Sequence, residues 1–190
     1  MIINDPFAPT EKDQDEAAEW LGNEFSDVGC GPNPHPRASL LYDWKKWDNN
    51  RIEITDFLEE DFLVQNVYCR HVIEDLRYPE LLFKQFAHTN RGWIETPHPT
   101  VEYTRNVDRG APWRGFFHHH WFVWVEEDTL ILCPKYVIVE YIDDIGPMKQ
   151  WNTYYKWKDY NFKYKVLRDQ IDFDVTTVTY YETLKRGCNA

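Results

Sequence analysis

The sequence predicts an α+β fold, mainly β: an antiparallel sandwich or barrel with an N-terminal helix and one or two further helices before residue 90. Three observations predict it. Apolar residues at helical spacing follow a cap near the amino end. Short runs divided by turn residues succeed one another from residue 93 onward. Hydrophobic residues make up 43% of the chain and aromatics 17%, enough for a packed core. At 190 residues one domain is expected over 1–190. Residues 1–37 hold an acidic helix plus a Pro/Gly-rich connector, and 38–190 a β-rich core with a helical insertion at about 57–88.

Thr10 followed three residues later by Asp13 has the form of a capping box, and Ala17, Ala18, Leu21 and Phe25 recur at helical spacing, with Gly22 ending the element. A helix over about 11–21 follows. VGCGPNPHPR, residues 28–37, carries three prolines and two glycines and reads as an extended connector between helix and sheet. ASLLYDWKKW and RIEITDF flank Asp48, Asn49 and Asn50, which predicts a hairpin. In 57–78, Asp56 and Glu59 favour a helix start while Val64, Val67, Val72 and Ile73 favour strand, and helix is the expectation. Pro79 opens a helix over 79–87, with Leu81, Leu82, Phe83 and Phe86 as its apolar face. Strands are expected at 100–105, 116–125, 130–133, 136–142, 160–167 and 171–181.

The formal net charge is −11, which opposes general binding to nucleic acid or to an anionic membrane. The charge is uneven. Residues 1–30 hold eight acidic side chains against Lys12, and 149–168 hold six basic ones against Asp159. The start, MIINDPFAPT, lacks the basic and apolar regions of a signal peptide and no run is long enough to span a membrane, so the expected location is cytoplasmic, or the virion if the chain is viral. Cys30, Cys69, Cys133 and Cys188 form no CxxC pair and are expected as free thiols. Cys30 lies near His35, but in a proline-rich loop that gives a nucleophile and base no fixed register. GxxxxGK, GxGxxG, HExxH and GxSxG are all absent.

GFFHHHWFVWV carries His118, His119 and His120. No cofactor is expected, but on a strand alternate residues share a face, so His118 and His120 could offer two imidazoles to one divalent metal. The segment partly resembles the first metal motif of cupins: a glycine, an HxH pair and then a glutamate. The resemblance implies a metal held inside a small barrel. Glu126 stands one position beyond the motif's glutamate, and no histidine follows His120 to supply the family's downstream ligand.

In KQWNTYYKWKDYNFKYKVLR, residues 149–168, lysines interleave with aromatics, and Trp151, Tyr154, Tyr155, Trp157, Lys156, Lys158, Lys163 and Lys165 form a candidate partner-binding surface. The functional expectation is a non-enzymatic structural or interaction protein, a homo-oligomer or part of a larger complex such as a virion or tail component. Its partners are protein chains, self or other. One alternative is a metal-dependent, cupin-like enzyme using His118 and His120. Another is binding of single-stranded nucleic acid or glycan through residues 149–168.

Overall fold

A computed structural model describes residues 9–56, 65–136, 139–140 and 150–167. Among them the elements run α1 (Glu11–Leu21), β1 (Ser26–Val28), β2 (Leu40–Asp43), β3 (Ile52–Ile54), β4 (Asn66–Arg70), α2 (Glu80–Phe86), β5 (Arg91–Pro97), α3 (Pro99–Tyr103), β6 (Trp121–Glu126), β7 (Thr129–Pro134), β8 (Asn152–Lys158) and β9 (Tyr164–Val166). The fold is α+β and mainly β, as expected, with a six-stranded sheet ordered β3-β2-β1-β4-β5-β8 and a three-stranded sheet ordered β6-β7-β9. Among the described residues neither sheet closes into a barrel, so the metal-holding barrel implied by the cupin resemblance is not formed by them. No helix among the described residues is long and apolar enough to cross a membrane.

The described residues fall into two compact units. The first lies within Met1–Arg70, Glu80–Ile94 and Lys156–Asn161, the second within His71–Pro79, Glu95–Tyr155 and Phe162–Ala190. In the first unit α1 starts where the cap predicted: Thr10 Oγ1 accepts from the Asp13 N–H at 3.2 Å, and the Asp13 carboxylate accepts from the Thr10 N–H at 3.1 Å. Its Ala17, Ala18 and Leu21 are buried, and Gly22 ends it with φ 86°. The expected hairpin is instead a parallel pair, with Leu41 opposite Ile52 and Asp43 opposite Ile54. Residues 44–51 must therefore reverse the chain twice, helped by Trp47 at φ 46° and by the Asn49 side chain accepting from the Arg51 N–H. β1 is parallel to both β2 and β4. The expected helix over 57–78 gives way at 66–70 to β4, whose Val67, Tyr68 and Cys69 are buried; residues 57–64 lie outside the described residues. α2 forms at Glu80–Phe86, within the predicted span.

A glycine is required at one crossing in this unit. A Cβ on Gly92 would lie 1.8 Å from the Trp157 ring, and the Trp20 indole N–H donates to the Gly92 carbonyl at 3.1 Å. Gly92→Ala is expected to destabilise by about 1–3 kcal/mol through overpacking. The urea midpoint reads this directly, and a midpoint equal to wild type would show that the indole has room to shift.

In the second unit β6 and β7 form an antiparallel hairpin, Glu126 opposite Thr129, turning through Glu127 at φ 54° and Asp128. β9 lies parallel to β7. Tyr103, Phe122, Trp124, Ile131, Cys133 and Val139 pack together as a core. The strand expected at 100–105 is α3, because Pro99 takes the first helical position and the His98 side chain caps the Thr100 N–H. The strand expected at 116–125 begins only at Trp121, and that at 160–167 covers only 164–166. Of the run 136–142, residues 139–140 form a 3₁₀ turn; the strand expected at 171–181 lies outside the described residues.

Candidate functional site

In the first unit the strand order reverses beside β1. From β1 the chain moves outward through β2 to β3, then returns to β4 on the other side of β1, so the order reverses between β1 and β4. Sheets of this kind bind ligands outside the carboxyl ends of the strands at such a reversal. There β1 runs into Gly29, Cys30 and Gly31, and both glycines take left-handed backbone, φ 69° and 58°. A Cβ on Gly31 would meet nothing within 4 Å, so the loop faces open space. The loop is tied to the last residue of β2, since the Gly31 N–H donates to Asp43 Oδ2 at 2.8 Å while Asp43 Oδ1 accepts from the Lys45 N–H at 3.1 Å. Each Asp43 oxygen thus keeps a further lone pair.

Beneath the loop, Asp27 is buried in β1 between Leu41 and Tyr68. Burial pushes its carboxyl up to about 7, against the His35 N–H, which donates to Asp27 Oδ2 at 2.7 Å, and the Arg70 charge. His35 packs edge-on against Phe25 and Tyr68, with ring centroids 4.9 and 4.8 Å away. The Arg37 N–H donates to its Nδ1, so its Nε2–H donates to the Gln14 carbonyl, and burial holds its pKa below the usual value. Burial also pushes the Cys30 thiol up to about 12, which removes it as a nucleophile. The Pro/Gly segment expected as a connector from helix to sheet thus joins two parallel strands. The signal for it was G-C-G followed by a run ending in an acid, LLYD.

In the second unit a polar cluster is built around Glu102 of α3. His119 Nδ1 donates to Glu102 Oε1 at 2.6 Å, and the Lys135 ammonium and Phe116 N–H donate to Oε2 at 2.6 and 3.2 Å. Burial opposes ionisation of Glu102, but the charges and hydrogen bonds of His119 and Lys135 outweigh it and hold the carboxyl at about 2. Asp75 Oδ1 faces His119 Nε2 at 3.5 Å and His118 Nε2 at 3.7 Å. Glu74 Oε1 accepts from His71 Nδ1 at 3.0 Å, and Asn152 donates to Glu95 at 2.6 Å.

Compared with known protein families and with curated proteins, the chain matches none.

The sequence paired His118 with His120, but 117–120 precede the strand and do not alternate across it. The ligand atoms that converge are those of Asp75, His118 and His119, within 4.8 Å of one another; His120 is exposed and outside the group. Asp75, Glu102 and Lys135 were not singled out from sequence. Of the aromatics proposed to meet a partner, Tyr155 and Trp157 are buried on the inner face of β8. Trp151 is exposed and Tyr154 half-buried, as are Lys156, Lys158 and Lys165 exposed on the strands. Lys163 pairs with Asp128, and Lys156 lies over the Trp93 ring at 3.9 Å. A separate surface cleft of about 460 Å³ in the first unit is lined by Glu16, Glu19, Trp20, Arg91, Lys156 and Lys158, and includes no residue of the glycine loop.

Proposed function

We propose that the chain binds a nucleoside cofactor of the S-adenosylmethionine type at the carboxyl ends of β1 and β2, and acts in methyl transfer. The observation that carries this reading is the Gly29–Cys30–Gly31 loop hydrogen-bonded to the acid that ends β2, beside the reversal in a sheet ordered β3-β2-β1-β4-β5. In nucleotide-binding sheets of this order a carboxylate at that place accepts from ribose hydroxyls. Three features support a nucleoside without a pyrophosphate. Residues 29–39 contain no helix, so no helix N-terminus offers its N–H groups to phosphate. Pro34 stands where the dinucleotide fingerprint has its third glycine. The Asp43 carboxylate beside the loop disfavours phosphate and suits a cationic group. When bound, S-adenosylmethionine supplies a methyl group on a positively charged sulfur. Asp43 and the loop backbone would hold its ribose.

Calorimetric titration tests this with S-adenosylmethionine, S-adenosylhomocysteine, NAD⁺ and ATP. The first two are expected to bind and the others not. Asp43→Ala, checked for folding by its thermal transition, is expected to weaken binding about 10- to 150-fold, the worth of hydrogen bonds to a charged acceptor. No binding, or preference for NAD⁺ or ATP, would sink the reading. The second reading, contacts with protein chains in an assembly, is favoured by Trp113 and Phe117, 38% and 80% exposed with ring centroids 5.8 Å apart. Light scattering that finds a monomer across concentration counts against it.

A further inference from the structure

We infer that Asp75, His118 and His119 form a binding site for a divalent transition-metal ion. All three lie in the second unit, so the inference stands apart from the cofactor reading. Backbone bonds bring the segments together: the His120 N–H donates to the Glu74 carbonyl at 2.7 Å, and the Trp121 indole N–H to the Leu76 carbonyl at 2.6 Å. Two imidazoles and a carboxylate are a donor set that zinc and other first-row ions take, with further positions open. A tetrahedral ion with bonds near 2.0–2.1 Å sets its ligand atoms about 3.3 Å apart. The two contacts at Asp75 Oδ1, 3.5 and 3.7 Å, are already within a few tenths of that. His118 is exposed, so its ring can turn to close the remainder at little cost in packing.

Two features point to a cation rather than a chance cluster. His119, 5% exposed, is oriented by the Glu102 carboxylate on Nδ1, which leaves Nε2 to face outward; metal-bound histidines are held in this way by a carboxylate behind the ring. Among the described residues the surroundings are also rich in carboxylates, since Glu74, Asp75, Glu95 and Glu102 stand with His71, His119 and Lys135. Glu74 is 1% exposed, and its Oε2 has no hydrogen-bond partner among the described residues.

The test is titration of the purified full chain, first stripped with chelator, with Zn²⁺ by calorimetry and Co²⁺ by visible absorption. One ion per chain with micromolar or tighter affinity is expected, with the d–d bands of low-coordinate Co²⁺. His118→Ala and Asp75→Asn, both at exposed positions, should each weaken binding by tenfold or more, and His120→Ala should leave it unchanged. No binding below about 100 µM, or His120→Ala weakening it as much as His118→Ala, overturns the assignment.

Discussion

Glu102→Ala is expected to lower stability by about 3–5 kcal/mol, the cost of breaking a buried ion pair by removing one partner. The carboxylate is 1% exposed and accepts from His119, Lys135 and the Phe116 backbone. Without it Lys135, itself 8% exposed, keeps a buried ammonium with the Phe116 carbonyl at 2.8 Å as its remaining acceptor, and no countercharge at hydrogen-bond distance, among the described residues. A vacancy follows as well, because Gly115 at φ 58° brings its backbone against Glu102; even a Cβ there would lie 2.4 Å from Oε2. Glu102→Gln keeps the volume and one acceptor but removes the charge, so its loss should be smaller than that of alanine and still measurable. Urea unfolding at neutral pH compares all three proteins. A wild-type midpoint for the alanine variant would mean that Lys135 and His119 find other partners on relaxation.

That cluster shows why part of the chain was legible and part was not. The α1 cap could be read because Thr10 and Asp13 are three residues apart, and a capping box is complete within one turn. The β6–β7 hairpin was marked in the same way by Glu126, Glu127 and Asp128. By contrast, Glu102 and His119 are 17 residues apart and Lys135 and Glu102 are 33, so nothing local joins them. The histidine row was assigned to a strand because the apolar run WFVWVE is continuous with it, yet residues 117–118 turn and the ladder starts at Trp121. One signal was present. Glu102 is the lone charge in PTVEY, a segment the fold buries completely.

The parallel pairing of β1 to β4 was hidden for a different reason. Ser26–Val28 is three residues long, too short for any period, and turn residues such as Asp48–Asn50 report that a chain reverses but not how often. The six-stranded order depends on pairings between residues distant in sequence, such as Ser26 with Leu40, 14 positions on, and with Val67, 41 positions on. The alternation of β8 was available. Thr153, Tyr155 and Trp157 go inward while Lys156 and Lys158 stay out, so the lysines mark the wet face of a strand more than a cationic platform.

The buried carboxyl of Asp27 yields the second large effect, a fall in stability with rising pH. Its folded value is pushed up to about 7, mainly by burial and further by the Asp43 charge, from an ordinary 3.8. Between about pH 4 and 7 the unfolded chain has released this proton while the folded chain still holds it. The unfolded state then binds fewer protons, and stability declines as pH rises through that window, by up to about 4 kcal/mol at 1.36 kcal/mol per unit. Above the folded value both states are ionised and this group adds nothing more. His35 acts in the opposite sense. Its folded value is lowered, so the unfolded chain takes up a proton first as pH falls through 6.5, and stability is lost toward acid. The two slopes overlap, so wild type alone cannot separate them. Asp27→Asn can, because the amide oxygen still accepts from the His35 N–H while the titration disappears. Urea midpoints at pH 5 and pH 8 should show the variant gaining on wild type as pH rises, and parallel pH profiles for the two proteins would mean that Asp27 is ionised in the folded state throughout.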